Sequence, residues 1–162
     1  MSSGKRFILI IPLLLSLFIF VQFAQAETPF DITECASITI NMVSDIKEFM
    51  VFGLEAKGIV FSHHENKAFN NSAFHVVGIN KATGGKRVGD NYFKFIDPDG
   101  DVIAGEISVV EPEKTMTFLY GTGKWKGIKG GGKGTTTARS RPVVPGTAQS
   151  CSRYTGTFEL AK

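Results

Sequence analysis

The stretch His63-His64-Glu65 is the one place in this 162-residue chain where metal-ligating side chains cluster. Successive strand residues point to opposite faces, so His63 and Glu65 converge while His64 turns away. Two ligands do not hold zinc, and His75 would have to supply a third; a polar loop is the simpler reading, and no metal is expected. Residues 127–133 spell G-x-x-x-x-G-K, but a phosphate-binding P-loop needs Ser or Thr next and a helix beyond, and Gly134 stands there instead. Asp97, Asp99 and Asp101 resemble the start of a calcium loop. Such a loop takes Gly at its sixth position and Glu at its twelfth, whereas here Gly100 comes fourth and Ser108 twelfth, so a solvated hairpin turn is expected. No serine lies in a G-x-S-x-G elbow. No catalytic residue and no cofactor are therefore assigned.

Two constellations remain. The segment 120–134 packs seven glycines and four lysines around the only tryptophan. Residues 27–113 carry seven Lys+Arg against 14 Asp+Glu, and residues 114–162 carry nine against one. Either neighbouring strands exchange charge pairs, or Lys124, Lys126, Lys129, Lys133, Arg139 and Arg141 form an anion-attracting patch. Partners of such a patch would be lipid phosphates, an acidic envelope polymer or a small phosphorylated or carboxylated molecule; nucleic acid is not expected. The second constellation is aromatic. Most rings should fill the interior of a small barrel, with Tyr92, Glu106, Tyr120 and Trp125 as the polar tips of a pocket for a small apolar or amphipathic ligand. Glu106 is the charged residue within the apolar run 102–110 and would need a partner if it points inward. Trp125, between Lys124 and Lys126, should turn inward if the segment is extended.

The elements that must position these residues are short strands and tight turns. The N-terminus reads as a cleavable export signal over residues 1–26: Lys5 and Arg6, an apolar run, then Ala24-Gln25-Ala26. Its removal leaves 16 basic and 15 acidic residues in one domain, 27–162, with no membrane span and a periplasmic or secreted location expected. In an oxidising compartment Cys35 and Cys151, near the two ends of that domain, should form a disulfide. Residues 35–43 alternate apolar and polar with Ile38, Ile40 and Met42 on one side. Further strands are expected from about Glu48, over 58–62, 74–80, 92–96, 102–110, 116–120, about 135–139 and 153–160, with 141–150 as a loop. About eight strands without a convincing helix imply an all-β fold, an antiparallel up-and-down β-barrel.

Three segments carry a resemblance. Asp97-Pro98-Asp99-Gly100-Asp101, the run Gly121-Thr122-Gly123-Lys124-Trp125-Lys126-Gly127, and Tyr154-Thr155-Gly156-Thr157-Phe158 together resemble exported bacterial proteins with an allene-oxide-cyclase-like barrel. That barrel is similar to the eight-stranded calycin type of plant allene oxide cyclases and dirigent proteins. The likeness spans about residues 92–160, with further support around Phe69-Asn70-Asn71-Ser72 and Gly78. It implies the barrel and no particular activity, and no residue set here matches the plant cyclase active site. The leading expectation is a non-enzymatic exported barrel that binds a small, partly apolar ligand or an envelope component. An isomerase or cyclase working on an apolar substrate, with Glu106 and Tyr92 inside, is the second, and an interaction protein using its basic half is the third. The oligomeric state stays open.

Overall fold

The structure, a computed structural model, describes residues 26–161. The expected signal segment therefore lies, apart from Ala26, outside the described residues. Eight strands follow in sequence: β1 Thr28–Ile46, β2 Phe49–Ser62, β3 Ala73–Thr83, β4 Lys86–Ile96, β5 Val102–Val110, β6 Glu113–Gly121, β7 Lys129–Ser140 and β8 Thr147–Glu159. Each pairs antiparallel with the next, and β8 pairs back with β1, closing an up-and-down barrel without a free edge. A single 3-10 turn, Gly123–Trp125, is the only helical element among the described residues.

The alternation legible at Ile38 and Ile40 recurs clearly in β3, β4 and β5. Ile32 and Ala36 on β1, Phe74 and Val76 on β3, Phe93 and Phe95 on β4, and Ile103 and Ile107 on β5 all face inward and are buried or packed on the core. Three elements differ from expectation. The stretch around Asp45 is a long hairpin, turning at Lys47-Glu48, with Ile46 paired to Phe49. Strand β7 begins at Lys129, so the glycine run is strand rather than corner. The reason is space: a Cβ on Gly134 would fall 2.3 Å from Tyr154 Cδ1, so the bare β7 backbone is what lets that ring lie inside the barrel. Finally, β8 begins at Thr147, and Cys151 lies on the last strand itself, directly opposite Cys35.

The Cys35–Cys151 disulfide is formed and joins β1 to β8, the seam where the barrel closes. It bridges 116 residues of chain, a long loop whose closure restricts the unfolded state.

The two ends of the barrel differ. One is sealed by the connection 63–72, which folds back so that Phe69 is buried against Phe30, Phe118, Trp125 and Phe158, with ring centroids 5.0 to 5.4 Å away for Phe30, Phe118, Trp125 and Phe158. Lys67, Phe69 and Asn71 all have positive φ. The loop is held by Asn66 Nδ2 donating to the Pro29 carbonyl and by the Ser62 N–H donating to Asn70 Oδ1. The other end carries the β1–β2 hairpin, the Gly84-Gly85 turn and the 141–146 loop, which is tied to β1 by the Ile40 N–H donating to the Gly146 carbonyl.

Candidate functional site

At this second end the core stops short and leaves a cavity of about 420 Å³. The size is within the range of small-molecule sites. Much of its wall is apolar, with Ile38, Leu54, Phe74, Val76, Ile107 and Val109. Also lining it, at inward positions of five different strands, are Glu34, Asn80, Arg87, Lys114, Ser152 and Tyr154, with Arg87 and Asn80 near the Gly84-Gly85 turn at the open end.

The polar groups there are incompletely satisfied. Lys114 Nζ donates to Ser152 Oγ at 2.6 Å, Asn80 Nδ2 donates to Asn91 Oδ1 at 2.9 Å, and Asn91 Nδ2 donates to the Ile107 carbonyl at 3.2 Å. Glu34 Oε1, Asn80 Oδ1, Arg87 Nε and Gln149 Oε1 are buried with no protein partner among the described residues. Native proteins leave few such atoms, because each costs about 1–3 kcal/mol. Burial pushes the Glu34 carboxyl from 4.5 up to about 8, against the opposing pull of Lys114. Burial, helped by Arg87, pushes the Lys114 ammonium from 10.5 down to about 8. Tyr154 is raised by burial and by the nearby Glu34, and the Arg87 guanidinium is lowered by burial. At the rim Arg139 pairs with Glu111. Shifted ionisable groups gathered in one cavity mark the region as a candidate site.

The residues nominated from sequence lie elsewhere. Tyr92 is 59 % and Tyr120 64 % exposed, and Glu106 is exposed. Phe93 and Phe95 take the inward positions of β4, so Tyr92 points out and pairs with Glu106 on the outer face. Glu106 is flanked by the inward Gly105 and Ile107, which fixes it outward. Tyr120 should share the face of Phe118, but Ala104 pairs with Tyr120 and Gly105 with Phe118, so Leu119 is the extra residue of a bulge and the phase flips. None of the three reaches the cavity.

Trp125 does turn inward, though from a 3-10 turn rather than an extended segment, and it closes the sealed end instead of lining the cavity. Its Nε1 donates to Asp97 Oδ2 at 2.8 Å. Asp97, 6 % exposed, also accepts from the backbone N–H groups of Asp99 and Asp101 and pairs with Lys124 at 2.8 Å. Burial acts to raise its carboxyl, but Lys124, Trp125 and the two backbone donors outweigh it and hold the carboxyl below its ordinary value. The 97–101 turn is thus a structural clamp.

The basic residues behave largely as partners of the acidic half. Lys124 pairs with Asp97 and Asp99, Arg139 with Glu111, Lys133 with Glu113 at 3.9 Å, and Arg153 with Asp31. Among the described residues, Lys126, Lys129 and Arg141 have no carboxylate within ion-pair distance. His63 bonds Thr33 and His75 bonds Glu55, so the histidines serve separate contacts.

Sequence reasoning missed Glu34, Arg87, Lys114 and Asn80. A signal was present: Glu34 is in phase with Ile32, Ala36 and Ile38, Lys114 with Met116 and Phe118, Arg87 with Phe93 and Phe95, and Asn80 with Phe74 and Val76. A charged residue on the apolar face of a strand is the pattern to look for.

No protein-family model and no curated protein matches this chain. Among solved structures, the barrel is similar to that of the pterocarpan synthase dirigent protein GePTS1, at 13% sequence identity and a TM-score of 0.52, over 85% of this chain and 93% of that one. That likeness concerns the barrel fold.

Proposed function

We propose that this protein is a binding barrel that takes up a small, partly apolar ligand through its open end, with the apolar wall of Ile38, Leu54 and Val76 holding the body of the ligand. The observation that carries the reading is the cavity of about 420 Å³ in which apolar walls meet buried polar atoms that lack protein partners. A barrel meant only as a scaffold gains by filling such a space, since cavities and orphaned polar groups both cost stability. The disulfide fits the expected export to a periplasmic or secreted location, where thiols oxidise. Native mass spectrometry of protein isolated without denaturation, set beside refolded protein, tests the reading together with a cavity-filling variant, Val76→Trp. A retained small molecule, or a probe such as anilinonaphthalene sulfonate bound by the parent and excluded by Val76→Trp, supports it. Failure of both forms to hold any ligand or probe overturns it.

A second reading, an isomerase or cyclase, draws on the ionisable groups inside the same cavity: Glu34, Lys114 and Tyr154 lie where a proton donor or acceptor would meet a bound substrate. Glu34 replaces Glu106 and Tyr92 in that role. Turnover of epoxides or unsaturated lipids that is lost in Glu34→Gln would support it; unchanged product distributions would remove it. The third, binding of acidic envelope polymers, would rest on Lys126, Lys129 and Arg141, and demands affinity that falls with added salt.

A further inference from the structure

We infer that the ligand of this cavity is a small organic anion, a carboxylate with an apolar body, whose head group is held by the cavity-lining Arg87 and Lys114. The inference rests on the cavity being a binding site and names the chemistry of its occupant.

The argument starts from charge. Three cations, Arg87, Lys114 and Arg139, line the cavity against two carboxyls, Glu34 and Glu111. Glu111 pairs with Arg139 at the rim, and its charge also reaches Arg87 and Lys114 without an ion-pair contact. What remains inside is Arg87, Lys114 and Glu34, and among the described residues neither of these two cations makes an ion pair. Lys114 has only the neutral Ser152 hydroxyl, and the buried Nε of Arg87 has no partner. Burying a cation with no anion in contact is costly, and a carboxylate presented to a guanidinium is the pairing that best offsets it.

Glu34 does not fill that role. Its Oε1 accepts no hydrogen bond, and burial without a donor favours its protonated form. A protonated Glu34 is itself a donor, so the cavity lining offers an ammonium, a guanidinium and a carboxylic acid to an acceptor group. Tyr154, on the neighbouring β8, adds a phenol held neutral by burial and by Glu34. The apolar share of the wall calls for a hydrocarbon body of modest size beside the head group, which a bare inorganic anion lacks.

The test is a matched series, octanoate, octan-1-ol and octylammonium, titrated calorimetrically into the disulfide-bonded protein at pH 7. Octanoate should bind at least tenfold more tightly than octanol, and octylammonium more weakly than either. Arg87→Gln should lower octanoate affinity at least tenfold while changing octanol affinity less than twofold, and Lys114→Gln serves in the same way if Arg87→Gln does not fold. Raising the pH from 7 to 9 should weaken octanoate and spare octanol, because Lys114 loses charge and Glu34 gains it. Equal binding of octanoate and octanol, or tighter binding of octylammonium, overturns the anion assignment and leaves the binding barrel standing. No binding by any of the three overturns the anion assignment, and the barrel reading is then judged by native mass spectrometry and the cavity-filling variant.

Discussion

Replacing Glu34 with glutamine should raise stability progressively as pH rises, because the wild-type carboxyl resists ionisation inside the barrel. Glu34 is buried, and the titratable groups acting with it are Lys114 and Tyr154. Burial raises its carboxyl from 4.5 to about 8, Lys114 opposing. Between those two values the unfolded chain has released a proton that the folded protein keeps, so folded-state stability is complete below pH 4.5 and is lost as pH climbs toward 8. One proton sets a slope of about 1.4 kcal/mol per pH unit, and the whole interval an upper bound of about 5 kcal/mol. The glutamine variant does not titrate. Urea unfolding of both proteins at pH 5, 6, 7 and 8 reads the difference directly, and any constant offset from the amide cancels in the trend. The gap should widen steadily in favour of the variant by about 2–5 kcal/mol. Two parallel stability curves would refute the reasoning and place Glu34 in an ordinary, hydrated environment.

Lys114 supplies the opposite limb: its ammonium is pushed from 10.5 to about 8, so stability is lowest below pH 8 on its account and recovers as pH rises to 10.5, a recovery that Lys114→Met should abolish in the same urea series. Gly123 has φ +49 and a Cβ there would fall 1.8 Å from Asp101 Oδ1, so Gly123→Val should cost about 2–4 kcal/mol by chemical denaturation; a loss under about 1 kcal/mol would show that the turn relaxes freely. Asp97→Ala orphans the Trp125 N–H and leaves Lys124 with Asp99 alone, and should cost about 2–4 kcal/mol with a red-shifted tryptophan emission; an unchanged spectrum and midpoint would mean the clamp is not holding the sealed end.

The architecture was legible because it follows from alternation and turn chemistry, both local. Ile38 and Ile40, the Asp97 to Asp101 turn and the two cysteines announced strands, a hairpin and a seam that the closed barrel contains. The need for the glycine run was not local: position 134 on β7 has no room for a Cβ because the Tyr154 ring, twenty residues away on β8, fills that space. Tyr120 was misplaced for the same kind of reason, since the bulge at Leu119 is set by pairing to β5 and leaves no mark on the 116–120 pattern. Glu106 drew notice as a charge inside an apolar run, but β5 has only one inward face, and its neighbours Gly105 and Ile107 already occupy it. The cavity residues were each in phase with a buried face; their convergence depends on which strands close the barrel, which single-strand patterns do not encode.

The most direct test of the binding-barrel account is a set of intermolecular nuclear Overhauser contacts between octan-1-ol or octanoate and methyl-labelled protein. The account predicts contacts to Ile38, Leu54 and Val76 within the cavity, lost in Val76→Trp. Contacts confined to outer-face groups such as Ile59, Val77 and Ile79 would contradict it.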